Sequence, residues 1–225
     1  MKTFRDLATW RLIIWSVLFI GTILLFGCGN DDDDDGLEQP LEEQPSEAVT
    51  SQPTNQPSAE VAPQLDVINF TIDATSREAW AYFSLAKGDT VEVADPLNSM
   101  DWDLGFQRTK VILNGGVSGP GKGAAVMLKE VEFEQVKEAP TDGYAADSDD
   151  NLGIVAQSEE GWYIYTGPPN HWVLPLEKRV FVIQAADGTF AKVHFIGYYK
   201  DNDNKKDGGF ITFEYVHQPD GSRNF

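Results

Sequence analysis

Few side chains in this 225-residue sequence can do chemistry, and their surroundings narrow what that chemistry is. There are three histidines, His171, His194 and His217, and a single cysteine, Cys28. His171 sits in Gly167-Pro-Pro-Asn-His-Trp172, a proline-rich loop with Tyr165 before it and Trp172 after it. An imidazole between two aromatic residues suits the rim of a site for a flat apolar ligand. His194 lies in Lys192-Val-His-Phe-Ile196, opposite in strand phase to Val193 and Phe195, and reads as an exposed strand residue. His217, beside Pro219, also reads as exposed. Met100 and Met127 are the soft-ligand candidates, with core packing the plainer role for Met127.

No catalytic set stands out. No nucleophile-elbow motif surrounds any serine, so the histidines have no evident triad partner. Asp101 and Asp103 bracket Trp102 and would share one face of a strand, which allows a carboxylate pair; a solvated face or a turn contact explains them as well. The glycine-dense run Asn114-Gly-Gly-Val-Ser-Gly-Pro-Gly-Lys-Gly123 fails as a phosphate loop: its Gly-Lys is not followed by Ser or Thr, and no helix follows. Its glycines suit a sharp bend, or a close approach of backbone to a flat ligand. Asp201-Asn-Asp-Asn-Lys-Lys-Asp-Gly208 departs from a calcium loop at Lys205 and lacks the bidentate glutamate, and reads as a solvated hairpin loop.

The elements that must hold these residues are strands. Period-two runs rich in Val, Ile, Thr and aromatics recur from Val67 onward. They include Trp80–Leu85, Thr90–Val93, Trp102–Phe106, Lys110–Leu113, Ala124–Phe133, Trp162–Tyr165, Arg179–Gln184, Phe190–Tyr199 and Phe210–Val216. Turn signals separate them at Lys87-Gly88-Asp89 and Ala186-Asp187-Gly188. No stretch after Gln64 carries a capped helical period. The expected fold is all-β, an antiparallel β-sandwich or open barrel of about ten or more strands over residues 65–225.

Ahead of it, residues 1–27 read as a secretion signal. Lys2, Arg5 and Arg11 form a basic region, and Leu12 to Phe26 an apolar run short of the ~20 residues a membrane-spanning helix needs. Leu25-Phe26-Gly27-Cys28 has the form of a lipobox, which makes Cys28 the expected lipidation site. Stable anchoring takes more than one acyl chain, and a lipoprotein cysteine carries several. With Cys28 the only cysteine, the mature chain has no internal disulfide and must hold its fold by burial. Residues 28–64 read as a disordered acidic and proline-rich tether: Gly29 to Pro63 contains ten acidic residues and no Lys or Arg. Acids directly after the cysteine resemble the surface-export signal of some Bacteroidetes-type lipoproteins; they also simply keep a tether soluble. The whole chain carries a net charge of −19, and from Gln64 onward 14 basic against 25 acidic residues leave −11. That balance argues against nucleic acid, which needs a basic face.

An ordered set of short stretches resembles the HmuY family of haem-binding, haemophore-like lipoproteins. It includes Thr71-Ile-Asp-Ala74, Trp80-Ala-Tyr-Phe-Ser84, Trp102-Asp-Leu104, Asn114-Gly-Gly-Val-Ser-Gly119, Pro140-Thr-Asp-Gly-Tyr144, Arg179-Val-Phe181, Ala191-Lys-Val193 and Ile211-Thr-Phe213. The resemblance spans about Val67 to Tyr215. It implies an all-β domain that clamps one haem, no catalysis, and transfer of the haem to a TonB-dependent outer-membrane receptor. Haem iron takes one or two axial side chains, and the propionates want Lys, Arg or hydroxyl donors. The axial histidines of the best-known member do not carry over: Asn151 to Gly161 is short and lacks histidine, and the second position falls on Thr166. His171 becomes the expected axial ligand if its loop folds back, with Met127 second, since methionine ligation occurs in the family. Trp172 and Tyr165 would pack beside the ring. The expected function is haem or porphyrin binding in iron acquisition by a protein lipid-anchored to the outer membrane, at its periplasmic face or the cell surface. The alternative is a binding module on the same scaffold for a non-haem ligand or a protein partner.

Overall fold

Strand-forming sequence dominates the molecule wherever it is described. The computed structural model describes residues 65–225; Cys28, the signal segment and the tether lie outside the described residues. Eleven strands are present: β1 (Ile68–Asp73), β2 (Ala81–Ser84), β3 (Asp89–Val91), β4 (Leu104–Gln107), β5 (Lys110–Leu113), β6 (Ala124–Lys129), β7 (Tyr163–Tyr165), β8 (Val173–Pro175), β9 (Arg179–Gln184), β10 (Phe190–Tyr199) and β11 (Gly208–Gln218). They form a five-stranded sheet in the order β1-β11-β10-β9-β6, a four-stranded sheet β3-β2-β4-β5, and a two-stranded hairpin β7-β8. Every pairing is antiparallel.

The main core lies between the two larger sheets. Phe83 and Phe106 of the smaller sheet meet Phe213 of the larger one, with ring centroids 5.2 and 5.5 Å apart. Trp162, just before β7, packs on Phe195 at 4.9 Å. Such pairs combine large apolar burial with favourable ring geometry. The larger sheet is also covered on its other face, where Phe133, Val136, Ala139, Val180, Val182, Phe190 and Val216 form a second core. This explains why β9 reads Arg-Val-Phe-Val-Ile-Gln with four consecutive buried residues: both faces of the strand are dry. A domain holding its own cores in this way has what it needs to fold alone.

Two sequence expectations change here. The run Ala124–Phe133 is not one strand. It ends at Lys129, Glu130 takes a positive φ of 57°, and a 3-10 turn follows over Phe133–Gln135. A capping box between Glu132 and Gln135 starts that turn and overrides the apparent alternation at Val131–Glu134. Strand β8 was hidden by the proline-rich loop before it.

The chemistry-bearing acids and glycines of the loops are largely absorbed by the fold. Asp101 is exposed, whereas Asp103 is buried and accepts from the backbone N–H of Leu85 (2.8 Å) and of Ala186 (2.9 Å). The two are not a carboxylate pair: both precede β4, outside regular strand geometry, and Asp103 ties together two turns. Asn114 is fully buried, donating to the carbonyls of Ser99 and Trp102 and accepting from Gly121 N–H. The run 114–123 is thereby folded on itself. At Gly116, with φ +59°, an added Cβ would lie 1.9 Å from the Asp147 carbonyl oxygen, so the room the glycines provide is filled by this chain's own backbone. Asp201 spends its carboxylate on Asp203 N–H and Asn204 Nδ2 within the β10–β11 hairpin loop.

Candidate functional site

Three chain connections converge on one cavity of about 310 Å³: the β4–β5 turn, the β7–β8 loop and the β10–β11 loop. Arg108, His171, Trp172, Tyr198, Tyr199 and Lys205 line it, with Lys206 beside them. The β7–β8 hairpin supplies the imidazole. Tyr165 pairs with Val173, and the loop between them closes through Thr166 N–H to the Trp172 carbonyl (2.9 Å) and Trp172 N–H to Thr166 Oγ1 (3.0 Å). The loop therefore folds back on Thr166, setting His171 one residue from the closing pair. The His171 N–H bonds the Gly167 carbonyl at 2.8 Å, and Pro168-Pro169 is a cis peptide.

His171 is exposed, and its Nδ1 meets the Tyr165 hydroxyl at 2.5 Å. With Nδ1 engaged, Nε2 is the nitrogen left for a ligand, since the partner of one ring nitrogen fixes the role of the other. Tyr165 is 46 % exposed, so its ring also presents an open apolar surface. Trp172 is half-buried against the main core and carries Lys205 Nζ 5.2 Å from its ring centroid. Arg108 donates to the carbonyls of Gly208 (2.8 Å) and Thr75 (3.2 Å), and its guanidinium lies 5.8 Å from the Tyr198 ring centroid. Burial pushes the Tyr198 hydroxyl up, against the pull of Arg108. Tyr199 accepts from Val173 N–H through its hydroxyl and so pins the hairpin to β10.

Three of the cavity's residues, Arg108, His171 and Lys205, hold a left-handed backbone with φ of 54°, 55° and 53°. Non-glycine residues adopt this region in only a few per cent of cases. Half of the six such residues among those described thus line one cavity.

Met127 lies elsewhere. It stands on edge strand β6 opposite Phe181 and is half-buried against the main core, and it does not line this cavity. The structure brings His171, Trp172 and Tyr165 together and leaves Met127 apart. The other two histidines are less free than the sequence suggests. His194 Nδ1 meets Glu214 Oε1 across the strand pair at 2.9 Å, and the Phe133 ring covers it at 6.4 Å. His217 is half-buried with Nε2 on Thr189 Oγ1 at 2.9 Å, because β11 continues to Gln218. Arg108, Tyr198, Tyr199, Lys205 and Lys206 are the members sequence reasoning missed. Only Lys205 carried a signal, as the residue that spoils the calcium-loop pattern.

The fold and site define a class first: a two-sheet antiparallel β domain with a cationic, aromatic cavity formed by its loops. The chain matches the family described as HmuY protein over residues 76–215, and it belongs to that family. Two solved structures are similar to it. The apo HmuY analog of Tannerella forsythia is 21% identical with a TM-score of 0.53, over 70% of this chain and 98% of that one. Apo PinO from Porphyromonas gingivitis is 16% identical with a TM-score of 0.51, over 69% of this chain and 99% of that one. No curated protein matches.

Proposed function

We propose that this protein is a haem- or porphyrin-binding lipoprotein of the cell envelope, anchored by lipid on Cys28 and acting in iron acquisition. The observation that carries the reading is an imidazole with Nδ1 held and Nε2 free, set among aromatic faces and three cations in a family known for haem binding. The donor types fit the group. When bound, haem supplies an iron that accepts axial nitrogen or sulfur ligands. His171 Nε2 would hold the iron at this cavity; Met127, on β6 outside it, is the second candidate and would require the group to seat elsewhere on the domain. Tyr165 orients the imidazole through Nδ1, the service that outer partners give metal-bound histidines, and with Trp172 it flanks the ring. Arg108, Lys205 and Lys206 provide charge-assisted donors for propionates. The function is binding rather than turnover, followed by transfer to a TonB-dependent outer-membrane receptor.

The second reading keeps the scaffold for a non-haem ligand or a protein partner. One observation favours it: Thr166, at the position of a familiar ligand, is occupied with closing its own loop. Titration of residues 29–225 with haemin separates the two. A saturable one-to-one change with a sharp Soret band and low-spin features, lost in His171→Ala, is expected. A spectrum of free haemin throughout would turn the assignment to the second reading. Low-spin bands that survive His171→Ala and vanish in Met127→Ala would move the axial role to Met127.

A further inference from the structure

The second core contains a residue that does not belong in an apolar environment. Lys192 lies on β10 between Ala191 and Val193, on the strand face turned towards Val180, Val182 and Phe133, and the residue is 5% exposed. Its Nζ donates to the carbonyls of Phe133 (3.1 Å) and Val136 (2.8 Å). The same atom lies 4.5 Å from the Phe133 ring centroid and 5.6 Å from that of Phe225. An ammonium carries three N–H donors, and two are used. Among the described residues no carboxylate forms an ion pair with it: the ion pairs present are Lys178–Glu132 and His194–Glu214. Carbonyl dipoles and ring faces solvate this cation without neutralising it, and a buried charge without a counter-ion is expensive. Burial accordingly holds the Lys192 ammonium below the usual lysine range, and the nearby Lys137 adds to this against the opposing pull of Glu134 and Glu214.

The same lysine lines a cavity of about 380 Å³. Leu65, Val67, Phe133, Val216 and Phe225 form its apolar wall, and Lys137 and Glu134 stand among its polar residues. The volume lies in the lower part of the range for small-molecule sites, about 300–1,000 Å³. No residue of this cavity lines the one around His171.

We infer that this cavity is a second binding site, for a small organic monocarboxylate whose carboxylate pairs with the third N–H of Lys192 and whose apolar body lies against Phe133, Val216 and Phe225. The carboxylate supplies the missing counter-charge, and the lost water is replaced by a charge-assisted hydrogen bond in a sheltered setting. The apolar wall accounts for the rest of the recognition. Lys137 in the lining adds attraction for anions, while Glu134 disfavours a second carboxylate on the same molecule.

Octanoate and octanol, which share a tail and differ in charge, test this on the unsubstituted domain, residues 29–225. Backbone amide shifts at Phe133–Val136, Lys192 and Phe225 are followed by NMR during each titration. Octanoate is expected to shift them saturably, and octanol to bind about tenfold more weakly or not at all, as befits loss of a hydrogen bond to a charged group. Equal binding of the two, or no saturable shift with octanoate, overturns the inference. Lys192→Met keeps the stem and removes the charge. In the folded variant, checked by its thermal transition, octanoate should fall to the level of octanol; unchanged octanoate binding overturns the role of Lys192. Should that variant fail to fold, the comparison of the two ligands on the unsubstituted protein decides alone.

Discussion

Two loop systems in this domain use similar residues to opposite ends. Around the glycine-rich run 114–123, Asp103, Asn114 and Asp147 are all buried, and each bonds backbone groups that are distant in sequence. In the β7–β8 hairpin, Thr166 and His171 are exposed, and their bonds run within the loop itself. Polar side chains in the first system are consumed in satisfying backbone donors and acceptors. In the second they keep spare capacity, and here the left-handed backbone at His171 is found. On the proposed reading, stability and binding are carried by different loops, and substitutions should separate them.

The largest loss is expected from Asp103→Ala. It strands the N–H groups of Leu85 and Ala186, two buried donors that the carboxylate alone satisfies. At about 1–3 kcal/mol per orphaned group, the variant should lose about 2–6 kcal/mol in urea unfolding. Asp103→Asn should recover only part of this, since the amide nitrogen would face a donor. A loss under about 1 kcal/mol for Asp103→Ala would break the contrast between the two loop systems.

Next in size is Gly116→Ala. The backbone there has φ +59°, and the new Cβ would meet the Asp147 backbone carbonyl oxygen at 1.9 Å. Strain of this type costs about 1–3 kcal/mol, read as a lowered denaturant midpoint with an unchanged slope. The variant should still bind haemin normally once folded, because no residue of the run 114–123 lines the cavity around His171.

These knots also mark where sequence reasoning stopped. The strands were legible because period two and β-branched composition are local properties, and the runs other than Ala124–Phe133 fall on strands near their observed limits. Strand β8 was not legible, being only three residues long and preceded by two prolines. Nor was the 3-10 turn at Phe133–Gln135, whose residues alternate as a strand's do while a capping box, a three-dimensional feature, bends them into a turn. At the candidate site, the grouping of His171, Trp172 and Tyr165 was legible from an unusual local string. Arg108 and Tyr198 were not, because they come to the cavity from elements distant in sequence, the β4–β5 turn and strand β10. Asp103 illustrates the same limit: its partners Leu85 and Ala186 are 18 and 83 residues away.

A smaller effect is expected from pH. Burial holds the His217 imidazole below its ordinary value of 6.5, although Asp103 and Asp187 pull the other way. The unfolded chain then takes up a proton before the folded one does. Stability from this group is complete above pH 6.5, falls as pH drops below that value, and levels off once the folded imidazole titrates too. His217→Gln should flatten that part of the pH–stability curve while leaving the plateau above about pH 7 nearly in place. An unchanged curve would overturn the assignment of this dependence to His217.

The smallest effect on stability, and the sharpest test of the comparison, belongs to Tyr165→Phe. The hydroxyl it removes is exposed and bonds only His171 Nδ1, so unfolding should change by no more than about 0.5 kcal/mol. Haemin binding should respond differently. Without its partner the imidazole is free to rotate, and removal of such outer partners typically weakens metal binding by about 10–100-fold. The expected variant is therefore as stable as the parent and about tenfold or more weaker for haemin. Its low-spin bands should be retained at saturation, because Nε2 is intact. Loss of the bands even at saturation would show that the Tyr165 hydroxyl is required to seat the imidazole on the iron. Unaltered affinity would show that the loop backbone alone, held by Thr166 and Trp172, sets the imidazole.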